Sequence, residues 1–262
     1  MVSSTTDKLL VETVDNTVVV TINNPPANTW DEESLKGLHR LVGECEEDDN
    51  VYALVFVGQG GKFFSAGADL NVFASGDKGV ARSMAECFGG AFEALAAFRG
   101  VTIAAINGYA MGGGLECALA CDIRIAEEQA QMALPEATVG LLPCGGGTQN
   151  LAWTVGEGWA KRMILCGERI DAPTAERIGL VEEVVGTGAS KDRALALAAS
   201  VGKQSPPAVA ASKSLIQSAR SGNIAGAYTV ERDEFVGLFD TNDQSEGVNA
   251  FLEKRSPQWT NS

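Results

Sequence analysis

The sequence of 262 residues contains a single histidine, His39, and no Cys-x-x-Cys pair. One histidine excludes mechanisms that need two imidazoles, such as the two-histidine zinc site of many proteases. It leaves one possible base for a Ser-His-Asp triad. His39 lies beside an apolar helical stripe among Lys36, Arg40 and Glu44, so a partly exposed structural role is favoured for it.

The cysteines are scattered rather than paired in a metal-binding or disulfide pattern. They are Cys45, Cys87, Cys117, Cys121, Cys144 and Cys166. Without a recognisable secretory signal, we expect reduced thiols in a cytoplasm-like compartment. Cys117 and Cys121 lie four residues apart in an apolar run, where small buried side chains fit better than metal ligands. The sequence therefore predicts no metal site.

Cationic residues are also scarce, since 20 Lys and Arg stand against 34 Asp and Glu, for a net charge of −14. A general nucleic-acid binder carries a basic patch, so we expect no nucleic-acid partner. No run approaches the ~20 apolar residues of a membrane span, and the first residues show neither a signal core nor an Arg-rich transit pattern. With 45% hydrophobic residues, the composition predicts an acidic globular protein, expected in a bacterial-type cytoplasm and not in a membrane.

The hydrophobic pattern predicts an α/β core followed by a mostly helical C-terminal part. Apolar or β-branched runs predict strands at 9–14, 17–22, 51–57, 101–106, 122–125 and 181–185. Helical spacing predicts a first helix capped by Asp31, and further helices at 78–98, 113–120, 155–165, 173–178, 189–202, 206–218, 223–237 and 244–253. The strand–turn–helix alternation indicates short crossovers between neighbouring strands.

Two glycine-bearing turns, 64–70 and 106–116, follow two of the predicted buried strands. Glycine allows the backbone to approach a ligand closely, and the first turn of a helix carries unpaired N–H groups with a partial positive charge. Two such turns that face each other would supply two N–H donors to one carbonyl oxygen, which is an oxyanion hole. Tight packing alone would also explain the glycines.

Two glutamates accompany these turns. Glu116 lies three residues after Gly113 on the same helix face, and Glu136 lies in the mostly apolar segment 132–137. Carboxyl groups in apolar surroundings have raised pKa values, and two close together compete to ionise. Such a pair would share the proton transfers to and from a bound water. Glu116 would also be explained by stabilisation of the helix N-terminus alone. Neither turn contains G-x-G-x-x-G, and Lys62 precedes Phe63 rather than Ser or Thr, so a nucleotide loop is disfavoured.

Several motifs, in order, resemble the signature of the enoyl-CoA hydratase/isomerase (crotonase) superfamily. They are FSAGADL at 64–70, AINGYAMGGGLE at 105–116, CDI at 121–123, LPE at 134–136 and GGGTQ at 145–149. The resemblance extends to AFLEKR at 250–255 and so covers nearly the whole chain. It implies an α/β spiral of ββα units at 1–195 and a helical C-terminal trimerisation region at 196–262. A homo-trimer or a dimer of trimers is the assembly that it implies.

The resemblance also implies an acyl-CoA substrate whose thioester carbonyl is held by the N–H groups of Ala68 and Gly113. Glu116 and Glu136 match the glutamates that hold and activate water in hydratases, with no cofactor besides the CoA of the substrate itself. The presence of both favours an enoyl-CoA hydratase, most similar to short-chain members, that forms a 3-hydroxyacyl-CoA in fatty acid β-oxidation. The alternatives are a Δ3-Δ2-enoyl-CoA isomerase and, less favoured, a non-catalytic binding member.

For the CoA portion, the resemblance implies contacts from a short segment after the first glycine turn and from the C-terminus. The residues are Ala66, Asp69, Leu70, Asn71, Phe251 and Lys254, the last two reaching the CoA of an adjacent subunit. Asn71-Val72 replaces the Lys-Glu that is common in hydratases. Cys144 stands where hydratases often have glycine, and its side chain is expected to narrow a pocket lined by 72–100 and 132–144.

Overall fold

Two β-sheets build the first part of the computed structural model, which describes residues 2–222 and 224–262. The larger sheet contains β1 (Leu9–Val14), β2 (Thr17–Ile22), β3 (Ala53–Gly58), β5 (Val101–Ile106), β7 (Ile123–Glu127) and β10 (Glu183–Val185). The smaller sheet contains β4 (Phe63–Ser65), β6 (Tyr109–Met111), β8 (Gln131–Ala133) and β9 (Ile170–Asp171). Their spatial orders are β1-β2-β3-β5-β7-β10 and β4-β6-β8-β9.

The helices alternate with these strands and then dominate the C-terminal part. They are α1 (Glu32–Glu47), α2 (Lys78–Ala97), α3 (Gly113–Ala120), α4 (Gly147–Leu165), α5 (Ala172–Arg177), α6 (Ser190–Val201), α7 (Pro206–Ser218), α8 (Ile224–Gly237) and α9 (Asn242–Glu253). At α1 the predicted cap is confirmed, because the Asp31 carboxylate accepts the Ser34 N–H, and the Ser34 hydroxyl accepts the Asp31 N–H.

The chain repeats one pattern three times: a long strand of the larger sheet, a short strand of the smaller sheet, and a helix. The repeats are β3-β4-α2, β5-β6-α3 and β7-β8-α4. Pairing is parallel between β2, β3, β5, β7 and β10, and also between β4, β6 and β8. This arrangement is the spiral of ββα units that the resemblance implied.

Both faces of the larger sheet are covered, which explains why its central strands are continuous apolar runs rather than alternating ones. On one face, Ala194 and Ala198 of α6 pack against Val19, Val55 and Ile103. On the other face, α1, α2 and α3 close the main hydrophobic core. The smaller sheet lies on the side where the long strands end.

Most predicted elements are present, with shifted ends. The predicted strand 51–57 is observed at 53–58, and the predicted helix 155–165 is the second half of α4, which begins at Gly147 and has a non-helical backbone at Gly156. Helix 223–237 is observed from Ile224, and residue 223 lies outside the described residues. The domain division at 195, which falls inside α6, remains a prediction.

The sequence patterns missed the smaller sheet. Its strands β4, β6, β8 and β9 are two or three residues long, too short to show an alternation of their own. Three of them follow a longer strand within a few residues. In the sequence alone they therefore look like part of the turn that follows that longer strand. Within 2–222 and 224–262, no helix combines the length and apolarity needed to cross a membrane.

Glu127 ties the end of β7 to the start of α6. Its side chain is 3% exposed, and it accepts hydrogen bonds from the Ser190 hydroxyl at 2.7 Å and from Gln129 Nε2 at 2.7 Å. A buried hydrogen-bond donor that loses its acceptor costs about 1–3 kcal/mol.

We therefore expect Glu127→Ala to lower the free energy of unfolding by about 1–3 kcal/mol, because it leaves buried donors without acceptors. The neighbouring Glu128 is exposed, so Glu128→Ala is the matched control and should change stability by less than about 0.5 kcal/mol. Urea unfolding of both variants measures the difference. Equal stability of the two variants would contradict the anchoring role of Glu127.

Candidate active site

Three consecutive turns of the spiral deliver residues to one place, because the parallel strands β4, β6 and β8 end side by side. Ala66 and Ala68 follow β4, Gly113 follows β6, and Glu136 follows β8. Ligand sites of α/β proteins form where parallel strands end at a common edge. The smaller sheet thus collects groups that lie up to about seventy residues apart in sequence.

The first two turns touch each other through their backbones. A Cβ atom at Gly67 would lie 2.6 Å from the Met111 carbonyl oxygen and 3.1 Å from the Gly113 nitrogen. At Gly114, a Cβ atom would lie 2.2 Å from the Ser65 carbonyl oxygen. Gly67 also has φ of +89°, a conformation that favours glycine. Side chains at these positions would push the two turns apart.

A short bridge to Trp30 holds the first turn in place. The Trp30 N–H donates to the Gly67 carbonyl at 2.8 Å, and the Asp69 N–H donates to the Trp30 carbonyl at 3.0 Å. Because Trp30 is fully buried, the turn rests on the hydrophobic core. This pairing uses the residues on either side of Ala68 and leaves the N–H of Ala68 itself without an acceptor among the described residues.

Gly113 is the first residue of α3, so its N–H has no acceptor within the helix. None of the described residues accepts it either. Ala68 and Gly113 line the same cavity, and the helix start adds a partial positive charge. Two N–H donors on facing turns suit one carbonyl oxygen. Their role as an oxyanion hole stays a prediction.

Glu116 lies in the first turn of α3 and is 2% exposed. Its Oε1 accepts the N–H groups of Gly145 and Gly147, both at 2.8 Å. Gly147 begins α4, so the carboxylate lies at the positive end of that helix. Burial raises the pKa of Glu116, while these two N–H donors act in the opposite direction. The pKa of Glu116 is raised overall, because burial outweighs the two N–H donors, which limit the increase.

Glu136 opens the short 3₁₀ turn after β8, and its environment differs from that of Glu116. Its Oε2 atom is buried and has no hydrogen-bond partner among the described residues. Burial raises its pKa to about 7, partly opposed by a hydrogen bond from its own backbone N–H, and the negative charge of Glu116 makes a smaller contribution to the increase. At neutral pH, Glu136 is thus present in both the acid and the carboxylate form.

The two glutamates and the two N–H donors line one cavity of about 260 Å³. Its other lining side chains are mainly apolar: Ala66, Leu70, Phe73, Phe88, Pro135, Thr138, Val139, Leu141, Leu142 and Cys144. These residues come from the segments 72–100 and 132–144, which were expected to line the pocket, and from the turn at 66–70. The backbone donors to Glu116 were missed, although the glycine run 145–147 was the signal for them.

Four predicted CoA-binding residues lie outside this cavity. Asp69 caps the 3₁₀ turn at 70–73, where it accepts the Asn71 N–H at 3.0 Å and Asn71 Nδ2 at 2.8 Å. Phe251 is 83% exposed near the end of α9, and Lys254 follows that helix with φ of +57°. Their contacts with CoA stay predictions. Exposed His39 does not line the cavity either, in agreement with a structural role.

Comparisons with known proteins show the family of this chain. The sequence profile of the enoyl-CoA hydratase/isomerase family matches residues 12–262. The 2,3-dehydroadipyl-CoA hydratase of Escherichia coli K12 is 37% identical over 255 residues, which covers 96% of this chain and 98% of that protein. The short-chain-enoyl-CoA hydratase of Clostridium acetobutylicum is 37% identical over 250 residues, which covers 95% of this chain and 96% of that protein.

Solved structures show the same similarity in three dimensions. Pseudomonas aeruginosa DspI superposes with a TM-score of 0.95 and 66% identity, over 97% of each chain. The enoyl-CoA hydratase of Bacillus anthracis superposes with a TM-score of 0.94 and 33% identity, over 98% of this chain and all of that one. The whole described fold is therefore shared with these proteins.

The electrostatic coupling of the two glutamates can be measured directly. We expect Glu116→Gln to lower the pKa of Glu136 from about 7, since it removes the neighbouring negative charge. The pKa should stay above its usual value, because burial is the larger cause. Infrared titration of the carboxyl stretch, assigned with Glu136→Gln, follows this group. Glu128→Gln is the control, and a Glu136 pKa that does not fall in Glu116→Gln would contradict the coupling.

Proposed function

Because the chain belongs to the enoyl-CoA hydratase/isomerase family, we propose that it adds water across the 2,3 double bond of a 2-enoyl-CoA to form a 3-hydroxyacyl-CoA. One observation carries the proposal. The cavity that holds the two free N–H groups also holds two carboxyl groups in different environments. The expected setting is fatty acid breakdown in a bacterial cytoplasm.

The N–H groups of Ala68 and Gly113 would donate to the thioester carbonyl oxygen. Negative charge develops on this oxygen when a nucleophile adds to C3, so donors placed there stabilise the enolate-like transition state. The same hydrogen bonds withdraw electrons from the conjugated double bond and make C3 electrophilic. Removal of one such donor typically costs about 10²–10³ in rate.

The two glutamates would divide the proton transfers. Glu116, as a carboxylate held by two N–H groups, takes one proton of the water while the water oxygen bonds to C3. Glu136, in its acid form, gives a proton to C2. The double bond thus gains one H and one OH, and the two carboxyl groups exchange protons with solvent before the next turnover. The proposal needs no separate cofactor, because CoA is part of the substrate.

Hydration of crotonyl-CoA, followed by loss of the enoyl thioester absorbance, tests this assignment. We expect Glu116→Gln and Glu136→Gln each to lower kcat by about 10²–10⁴, because each removes a proton-transfer group. The matched control is Glu128→Gln, which changes an exposed glutamate outside the cavity. Since the acid form of Glu136 is needed, wild-type kcat/KM should fall as the pH rises through about 7.

Two outcomes would contradict the hydratase proposal. The first is a wild-type protein that hydrates neither crotonyl-CoA nor longer 2-enoyl-CoAs. The second is much faster conversion of a 3-enoyl-CoA, which would favour the isomerase alternative, where one carboxylate moves a proton between C4 and C2. The presence of both glutamates in one cavity supports hydration over that alternative.

A homo-trimer or a dimer of trimers is part of the same proposal. The C-terminal helices expose many large apolar side chains: Ile216, Tyr228, Val230, Phe235, Val236, Phe239, Val248, Phe251 and Leu252. Exposed apolar surface of this extent is typical of subunit interfaces. In the assembly, Phe251 and Lys254 of one subunit would reach the CoA bound by another, beside the local contacts of Ala66, Asp69, Leu70 and Asn71.

Light scattering after size-exclusion chromatography tests the assembly. We expect the wild type to contain three or six chains, and Phe235→Glu to shift it toward monomers, because a charge would enter the apolar face that Phe235 shares with Phe239. Val14→Glu, at an exposed apolar position on β1, is the control and should keep the wild-type mass. A monomeric wild type would exclude the proposed assembly.

A further inference from the structure

Cys144 lies between the active-site cavity and a second depression on the protein surface. This depression, the α2 groove, has a volume of about 760 Å³ and is lined by the outer side of α2. Its residues are Lys78, Ala81, Arg82, Ala85, Glu86, Gly89, Gly90, Glu93 and Cys144. Among the described residues, Cys144 is the only one that lines both the cavity and the groove.

The backbone on either side of the cavity is packed tightly against α2. A Cβ atom at Gly145 would lie 2.7 Å from Phe92 Cδ2, so the chain after Cys144 rests directly on α2. A Cβ atom at Gly113 would similarly lie 2.7 Å from Phe88 Cε1, on the same helix. The backbone therefore has no room to shift toward α2, and the side chain of Cys144 is the element that the two spaces share among the described residues.

The proposed reaction orients the substrate relative to this part of the cavity. With the thioester oxygen on the Ala68 and Gly113 N–H groups, the glutamates act at C2 and C3, and the acyl chain from C4 onward must continue past them. Cys144 precedes Gly145, whose N–H holds Glu116. The residue as a whole is exposed, but partial desolvation of its thiol and the charges of Glu116 and Glu136 raise the pKa of the thiol to about 11. The thiol is therefore neutral, behaves as a small apolar group, and is a weak nucleophile.

We propose that the side chain of Cys144 closes the acyl end of the active-site cavity and so limits the length of the acyl chain that can bind beyond C3. The inference rests on the acyl-CoA part of the proposed function. The α2 groove has little steric bulk at Ala81, Ala85 and Gly89. Its charged lining residues Lys78 and Arg82 have aliphatic stems that can cover an apolar chain, and Glu86 and Glu93 complete the lining. A longer chain that passed position 144 would enter this groove.

The test compares Cys144→Gly, Cys144→Ala and Cys144→Leu with the wild type. Isothermal titration gives the Kd of saturated acyl-CoAs from butanoyl to dodecanoyl, and absorbance assays give kcat/KM for 2-enoyl-CoAs of the same lengths. We expect Cys144→Gly to raise the ratio of kcat/KM for the longest substrates to kcat/KM for the shortest by about 10-fold or more. One methylene in an apolar pocket changes the discrimination between substrates by roughly 10–200-fold. Cys144→Leu should shift the ratio in the opposite direction, and Cys144→Ala should be intermediate.

The controls are Cys166→Gly and Cys166→Leu, because Cys166 is an exposed cysteine that lines neither space. Both should leave the dependence on chain length unchanged. Thermal unfolding identifies any variant that does not fold, and Cys144→Ala then replaces Cys144→Gly. A length profile that is the same in all Cys144 variants would overturn the inference. So would a loss of affinity equal for all chain lengths, which would indicate that the α2 groove binds the nucleotide of CoA.

The two proposals fail in different ways. If no 2-enoyl-CoA is hydrated but the Kd values of saturated acyl-CoAs shift with chain length as expected, the hydratase proposal fails and the role of Cys144 holds. If hydration occurs but the dependence on chain length is the same in all Cys144 variants, the hydratase proposal holds and the proposed role of Cys144 is wrong. If no acyl-CoA binds, both proposals are wrong.

Discussion

At Gly67 the chain passes so close to the start of α3 that a methyl group would overlap the carbonyl oxygen of Met111. This backbone contact brings the Ala68 and Gly113 N–H groups to the same cavity, and neither has an acceptor among the described residues. The buried Trp30 holds the turn in place, so the folded chain itself fixes the positions of both donors. Donors that need no rearrangement stabilise a developing charge most effectively.

The two glutamates of the cavity have different surroundings. Glu116 is buried and accepts two N–H donors at and just before the start of α4, whereas one oxygen of the partly buried Glu136 has no hydrogen-bond partner among the described residues. The two N–H donors limit the rise in the pKa of Glu116, whereas burial raises the pKa of Glu136 to about 7. Two carboxyl groups in one cavity therefore differ in how readily they ionise. Partial desolvation and the charges of both glutamates raise the pKa of the Cys144 thiol to about 11, so this thiol is neutral.

Much of this arrangement could be predicted from the sequence, because the features involved are local. The β-branched runs at 9–14 and 17–22, the Asp31 cap and the glycine turns each depend on a few neighbouring residues. The smaller sheet could not be predicted, since its strands are two or three residues long and exist only because a parallel neighbour pairs with them. The hydrogen bonds from Gly145 and Gly147 to Glu116 join residues about thirty positions apart.

The sequence by itself determined the family, the long strands and most helices, and the identity of Glu116, Glu136, Ala68 and Gly113 as candidates, because motif order and residue type are properties of the chain. The tertiary structure alone decided that these residues share one cavity, that the Asp69 and Asn71 side chains hydrogen-bond to each other outside it, and that Cys144 lines both the cavity and the α2 groove. Such facts depend on which strand ends meet and how closely helices pack. Those distances are set only when the whole core is assembled.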